Sequence, residues 1–161
     1  MNREGIRKPA WFAYKYLHAL KGNGVALADG QAMAAVDGKR IAALVWDWQQ
    51  PVQTLSNKPF YTRLLPASPS REARLHFSGV TRGDYRLQLR KTGYRINDPM
   101  SLYIDMGMPT SLSAAQLQSL QEATADKPIV DRIVKIDVKG VADIAVPMRS
   151  NDIILVTLEP A

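Results

Sequence analysis

The chain carries fifteen carboxylates, and they are lopsided, with eleven Asp and only four Glu. Carboxylates doing general acid–base work must project into one pocket, about 5–9.5 Å apart. Glu4 sits in the N-terminal tail, Glu72 near the start of a polar-faced strand, Glu122 on the exposed side of a helix and Glu159 at the chain end. That spacing sets up no pair. Asp98 and Asp105 flank an irregular stretch where they could converge, but loop aspartates ordinarily build turns. His18 and His76 are too few for a histidine metal cluster. With no cysteine there is no thiolate nucleophile, thiolate zinc site or disulfide. No glycine-rich phosphate loop, Gly-x-Ser-x-Gly elbow or His-Glu-x-x-His helix occurs. No catalytic, cofactor-binding or metal-ligating residue is therefore expected.

Aromatic side chains are the second resource. Trp46 and Trp48 alternate around Asp47, so a strand running through them puts both rings on one face. Such a platform stacks on a sugar through its apolar faces, and the same residues equally serve core or interdomain packing. Of the twelve aromatics, four fall within residues 11–16: Trp11, Phe12, Tyr14 and Tyr16. Pro9 suits a first helical turn and Gly22 a stop, with Phe12, Ala13, Tyr16, Leu17 and Leu20 on one face. Trp11 and Tyr14 lie off it. The four rings cannot all face one sandwich, so this helix is either a core helix of the domain or one that buries a second face against another body.

The elements around these residues are mostly short strands. Val25–Ala28 is closed by Asp29-Gly30, and Ala32–Val36 turns through Asp37-Gly38 into Ile41–Trp46, apolar on both faces as a doubly covered strand would be. Four prolines between residues 49 and 70 (Pro51, Pro59, Pro66, Pro69) predict a long irregular crossing. Alternation then places Ala73, Leu75 and Phe77 inward, with Arg74 and His76 outward. Tyr85, Leu87 and Leu89 likewise face inward, opposite Arg86, Gln88 and Arg90. Val134, Ile136 and Val138, then Ile144, Val146 and Met148 continue the pattern, and Ile153–Leu158 is apolar on both faces. Ser113 with Gln116 forms a capping box ahead of Leu117 and Leu120, and Asp126-Lys127-Pro128 closes that helix. The expectation is a mainly β chain: a two-sheet antiparallel β-sandwich with an N-terminal helix and one inserted helix.

The net charge of +6 invites a nucleic-acid reading. The basic surplus lies in the first 95 residues, interleaved along strand faces and without converging stacking aromatics, so no nucleic-acid partner is expected. No apolar run approaches the roughly 18–20 residues of a membrane-spanning helix, so no membrane partner is expected either.

One stretch is specific. Gly5-Ile6-Arg7-Lys8-Pro9-Ala10-Trp11-Phe12-Ala13-Tyr14-Lys15-Tyr16-Leu17 resembles the segment that closes the catalytic barrel in glycoside hydrolase family 39, the β-xylosidases and relatives. Further along, Ile41–Asp47, Tyr94–Asp98, Met106–Pro109, Ser113–Leu120 and Asp152–Pro160 resemble, in order, the β-sandwich that follows the barrel. The resemblance implies two parts: residues 1–22 as the last helix of a (β/α)8 barrel missing from the chain, and residues 23–161 as the accessory sandwich. It implies a retaining xylosidase whose two catalytic glutamates lie upstream, so neither role passes to a residue here. Family loops that carry His before the Asn read Tyr94-Arg95-Ile96-Asn97 in this chain. The implied partner is the catalytic barrel, through Trp11, Phe12, Tyr14 and Tyr16, of which this chain would be the non-catalytic accessory domain. The alternative is an autonomous carbohydrate-binding module that takes a xylan-type glycan on Trp46 and Trp48. Family sandwiches also draw strands from ahead of the barrel, which implies an open sheet edge and a homodimer of the isolated chain.

Overall fold

The computed structural model describes residues 4–27, 30–49, 56 and 58–161. Eight strands and four helices follow one another along the described chain. They are α1 (Pro9–His18), β1 (Asn23–Val25), β2 (Ala32–Asp37), β3 (Arg40–Trp46), the one-turn α2 (Pro59–Thr62), β4 (Ala73–Phe77) and β5 (Gly83–Thr92). After these come α3 (Pro99–Asp105), α4 (Ala114–Glu122), β6 (Val130–Ile136), β7 (Ala142–Val146) and β8 (Ile153–Pro160). All strand pairings are antiparallel. One sheet has six strands in the order β1-β2-β3-β8-β5-β6, and the other pairs β4 with β7. The sandwich and its N-terminal helix are as the sequence predicts.

Period-two alternation decides what each sheet face meets. Ile41, Ala43 and Val45 of β3 face the small sheet, together with Tyr85, Leu87 and Leu89 of β5 and Ile154, Val156 and Leu158 of β8. Ile144 and Val146 come down from β7 to close this core. The opposite faces of β3 and β8 present Ala42, Leu44 and Leu155, and α1 lays Phe12 and Tyr16 on them. Central strands covered on both sides need apolar residues throughout, which is why Ile41–Trp46 and Ile153–Leu158 read as continuous hydrophobic runs. Gly22 ends the helical segment with φ 82°, and a side chain there would run into the carbonyl of Val36. No other residue type serves that turn.

Several expectations change in detail. The 93–129 insertion between β5 and β6 holds two helices: α4, with both halves of its capping box formed, and α3, where the sequence reading had an irregular stretch. Pro99 opens α3 and Asp98 caps it, a signal hidden by reading Asp98 as a turn residue. Strand β6 stops at Ile136, leaving Val138 exposed in the turn rather than inside. Strand β3 ends at Trp46 and does not carry on to Trp48. Ala28, Asp29 and Pro51 lie outside the described residues. Among the described helices, none is long and apolar enough to cross a membrane.

Candidate functional site

Among the described residues two aspartates, Asp126 and Asp152, are buried, and each organises a polar cluster. The Asp126 carboxylate accepts from Lys15 Nζ at 2.5 Å, from the Tyr16 hydroxyl at 2.5 Å and from Asn97 Nδ2 at 3.1 Å. Arg90 stands 3.9 Å from it and also donates to the Asp126 carbonyl. Asn97 completes the exchange by accepting the Asp126 backbone N–H through Oδ1 at 3.1 Å. Both Asn97 and Asp126 adopt the left-handed backbone conformation, at φ 51° and 56°, which short polar side chains tolerate. The result ties α1, β5 and the end of the insertion together at one point. Burial, then the hydrogen bond to Asp126, pushes the Tyr16 phenol well above its usual range.

Asp152, just before β8, is fully enclosed. It pairs with the buried Lys91 ammonium, lies 3.5 Å from Arg149 Nε and accepts the Arg149 N–H at 2.7 Å. Any Cβ at Gly93 would collide with its Oδ1, so this carboxylate fixes a glycine at the base of the insertion. Both clusters hold chain segments in place. The remaining sequence candidates do likewise: Asp98 caps α3 through Ser101, Asp105 pairs with Arg95 at 2.6 Å, and His76 meets Asp143 at 2.7 Å on the surface. Arg86 and Gln88 hold the exposed Asp131 carboxyl down at about 2. Among the described residues no group of three or more His, Asp or Glu is placed to hold a metal ion.

The aromatic candidates are split apart. Phe12 and Tyr16 are 0% exposed, buried against this chain's own sheet, so they cannot touch a second body directly. Trp11 is half-buried, edge-on to Phe12 with Arg7 over its ring, while Tyr14 is 74% exposed. Trp46 packs into the Phe12–Tyr16 cluster. Trp48 is 66% exposed and borders a different surface. With the strand ended between them, the two indoles form no common platform.

That other surface is an open groove of about 920 Å³ on the side of the insertion. Trp48, Tyr61 and Leu65 line it, and Tyr94, Met100 and Tyr103 of the insertion add their wall. Ile6, Lys8 and Pro9, where the chain enters α1, also line it. The Tyr103 hydroxyl donates to the Pro109 carbonyl at 3.0 Å, and Arg149 donates to the Tyr94 carbonyl at 2.8 Å, so that wall is held in place. The sequence reading missed this grouping, since its members come from four separate segments with no shared spacing.

The fold has known counterparts. Over its whole length the chain is 63% identical to a GH39 enzyme from Xanthomonas axonopodis pv. citri, with a TM-score of 0.97. The chain corresponds to one part of a family 39 glycoside hydrolase. A monomeric β-xylosidase from Caulobacter crescentus CB15 matches 99% of the chain at 49% identity and a TM-score of 0.93. A GH39 β-xylosidase from Caulobacter crescentus matches 99% at 41% identity and a TM-score of 0.75. The chain spans about a third of each relative, covering 32%, 32% and 29% of their lengths. No protein-family model matches it, and no curated protein does.

Proposed function

We propose that the chain is the non-catalytic accessory β-sandwich of a β-xylosidase-like glycoside hydrolase, with α1 as the last barrel helix, and that it packs on and supports a catalytic barrel. The carrying observation is the match of the entire chain to one third of family 39 enzymes at up to 63% identity. The engagement of its buried carboxylates in structural clusters supports the same reading. Trp11 and Tyr14, the α1 rings left with exposed surface, are the helix residues available to the barrel. The test is activity: the purified chain on an aryl xyloside should release nothing above buffer. Replacing the matched third of the Xanthomonas enzyme with this chain should give an active hybrid. Turnover by the isolated chain, or a folded hybrid without activity, would defeat the proposal.

The exposed Trp48 favours a second reading, an autonomous carbohydrate-binding module. Trp46 contributes little to it from inside the α1 cluster. Saturable binding of xylo-oligosaccharides that disappears in Trp48→Ala would select this reading. The accessory-domain proposal also leaves the isolated chain with an open edge at β4, which pairs only with β7 among the described strands. Self-association into a homodimer through such an edge follows from that, and sedimentation across protein and salt concentration reads it.

A further inference from the structure

We infer that the groove between Trp48 and Tyr103 is the face on which this domain docks an apolar segment of the remaining two thirds of a family 39 polypeptide; the inference rests on the accessory-domain reading. Three observations point to the groove in addition to the α1 rings with exposed surface, Trp11 and Tyr14. The helix offers a convex strip on which the exposed Tyr14 and Leu17 are interrupted by Lys15 and His18. The groove instead is concave and gathers Trp48, Tyr61, Leu65, Tyr94, Met100 and Tyr103 around about 920 Å³. Its wall is also prearranged, because Asp98 caps α3 and the Tyr103 hydroxyl is tied to Pro109. A partner that meets ordered aromatics gives up less conformational freedom on docking, and such side chains dominate interface energetics.

The occupant is protein rather than sugar. Sugar sites set converging polar side chains around an aromatic platform. Here Asp98 and Ser101 are already spent on each other as a helix cap, at 2.5 Å. Lys8, Gln49, Arg63, Ser150 and Asn151 also line the groove. Of these, Gln49, Ser150 and Asn151 are engaged with Asp47, Ser68 and the Gln49 N–H, and Leu64, Leu65, Pro66, Pro99, Met100 and Ile104 leave the lining more apolar than polar. A methionine among aromatics suits an irregular apolar protein surface, since its flexible thioether fills gaps. The source is the rest of the polypeptide, for a reason of position. The relatives are about three times as long as the matched third. The residues leading into α1, Ile6, Lys8 and Pro9, also line the groove, so chain joined ahead of them starts beside it.

The hybrid carrying this chain in the Xanthomonas enzyme tests the inference by hydroxyl-radical footprinting. Oxidation of Trp48, Tyr61 and Met100 should fall at least fivefold in the hybrid relative to the free chain, while Val138 and His76 stay equally reactive. Tyr61→Glu should lower the hybrid's melting temperature and leave that of the free chain unchanged. An active hybrid with an undiminished groove footprint overturns the docking face but keeps the accessory-domain reading. A hybrid in which this chain melts independently, with all its residues as reactive as in the free chain, overturns both. Groove protection in the free chain that grows with protein concentration assigns the face to a second copy and overturns the inference. Protection by xylohexaose alone does so too, in favour of a sugar site.

Discussion

The aromatic residues of α1 and those of the groove make an instructive pair. In α1, Phe12 and Tyr16 are one helical turn apart, land on the outer face of β3 and β8, and disappear from solvent. In the groove, Trp48, Tyr61, Tyr94 and Tyr103 are far apart in sequence, converge through loops, and stay accessible. Density of aromatics along the chain thus marks a packing seam within this domain. The accessible groove is instead assembled by the insertion and the 58–67 segment. A helix concentrates side chains that share a face, whereas a docking face can draw on any loops the scaffold brings together.

The largest expected effect breaks the α1 side of that contrast. Phe12→Ala removes a ring with no exposed surface and should destabilise the chain by about 3–5 kcal/mol in denaturant unfolding. Tyr14→Ala, on the same helix but exposed, should stay within about 0.5 kcal/mol. Equal losses at the two positions would mean that α1 is not seated on the sheet as described.

Next comes the polar anchor beneath the helix. Asp126→Ala leaves Lys15, Tyr16 and Asn97 without their common acceptor. Removing one side of a buried pair typically costs about 3–5 kcal/mol. The solvent access of Lys15 reduces this, so a loss of about 3 kcal/mol in the same assay is expected. Asn97→Ala should cost less, since Tyr16 and Lys15 keep their partner.

This anchor shows where sequence reading runs out. The strands, the β2–β3 turn and the capping box at Ser113 follow from local rules, because each depends on residues a few positions apart. Asp126 was legible only as a helix stop. Its partners Lys15, Tyr16, Arg90 and Asn97 come from three other segments, and no spacing links them. Likewise Trp46 and Trp48 looked equivalent, and only the end of β3 separates them. The family resemblance, by contrast, was readable from Gly5–Leu17, because that stretch is contiguous.

Tyr16→Phe sharpens the anchor by deleting one hydroxyl and keeping the ring. At neutral pH the loss should be about 1.5 kcal/mol, the value of a hydrogen bond to a charged group. The pH dependence carries the sign. The folded-state pKa of Tyr16 is raised above the ordinary value near 10, so its contribution is fully present below pH 10. Above pH 10 the unfolded chain ionises this phenol while the folded chain holds its proton. Stability from this group then falls by about 1.4 kcal/mol per pH unit. The gap between wild type and Tyr16→Phe should therefore narrow as the pH rises from 9.5 to 11. A gap that widens would show that the phenol ionises more easily in the fold.

The smallest effect belongs to the groove. In the isolated chain, Trp48 is 66% exposed and touches little that folding depends on. Trp48→Ala should therefore change the unfolding free energy by no more than about 0.5 kcal/mol, the range for surface substitutions away from caps and cores. Met100→Ala, half-buried on α3, should cost more. A silent Trp48 in the free chain is what an uncovered docking face requires, because a ring that gains its burial only on assembly adds nothing before it. Large destabilisation by Trp48→Ala would place the indole in the domain's own core. The contrast between a buried helix seam and an accessible groove would then collapse into a single packed interior.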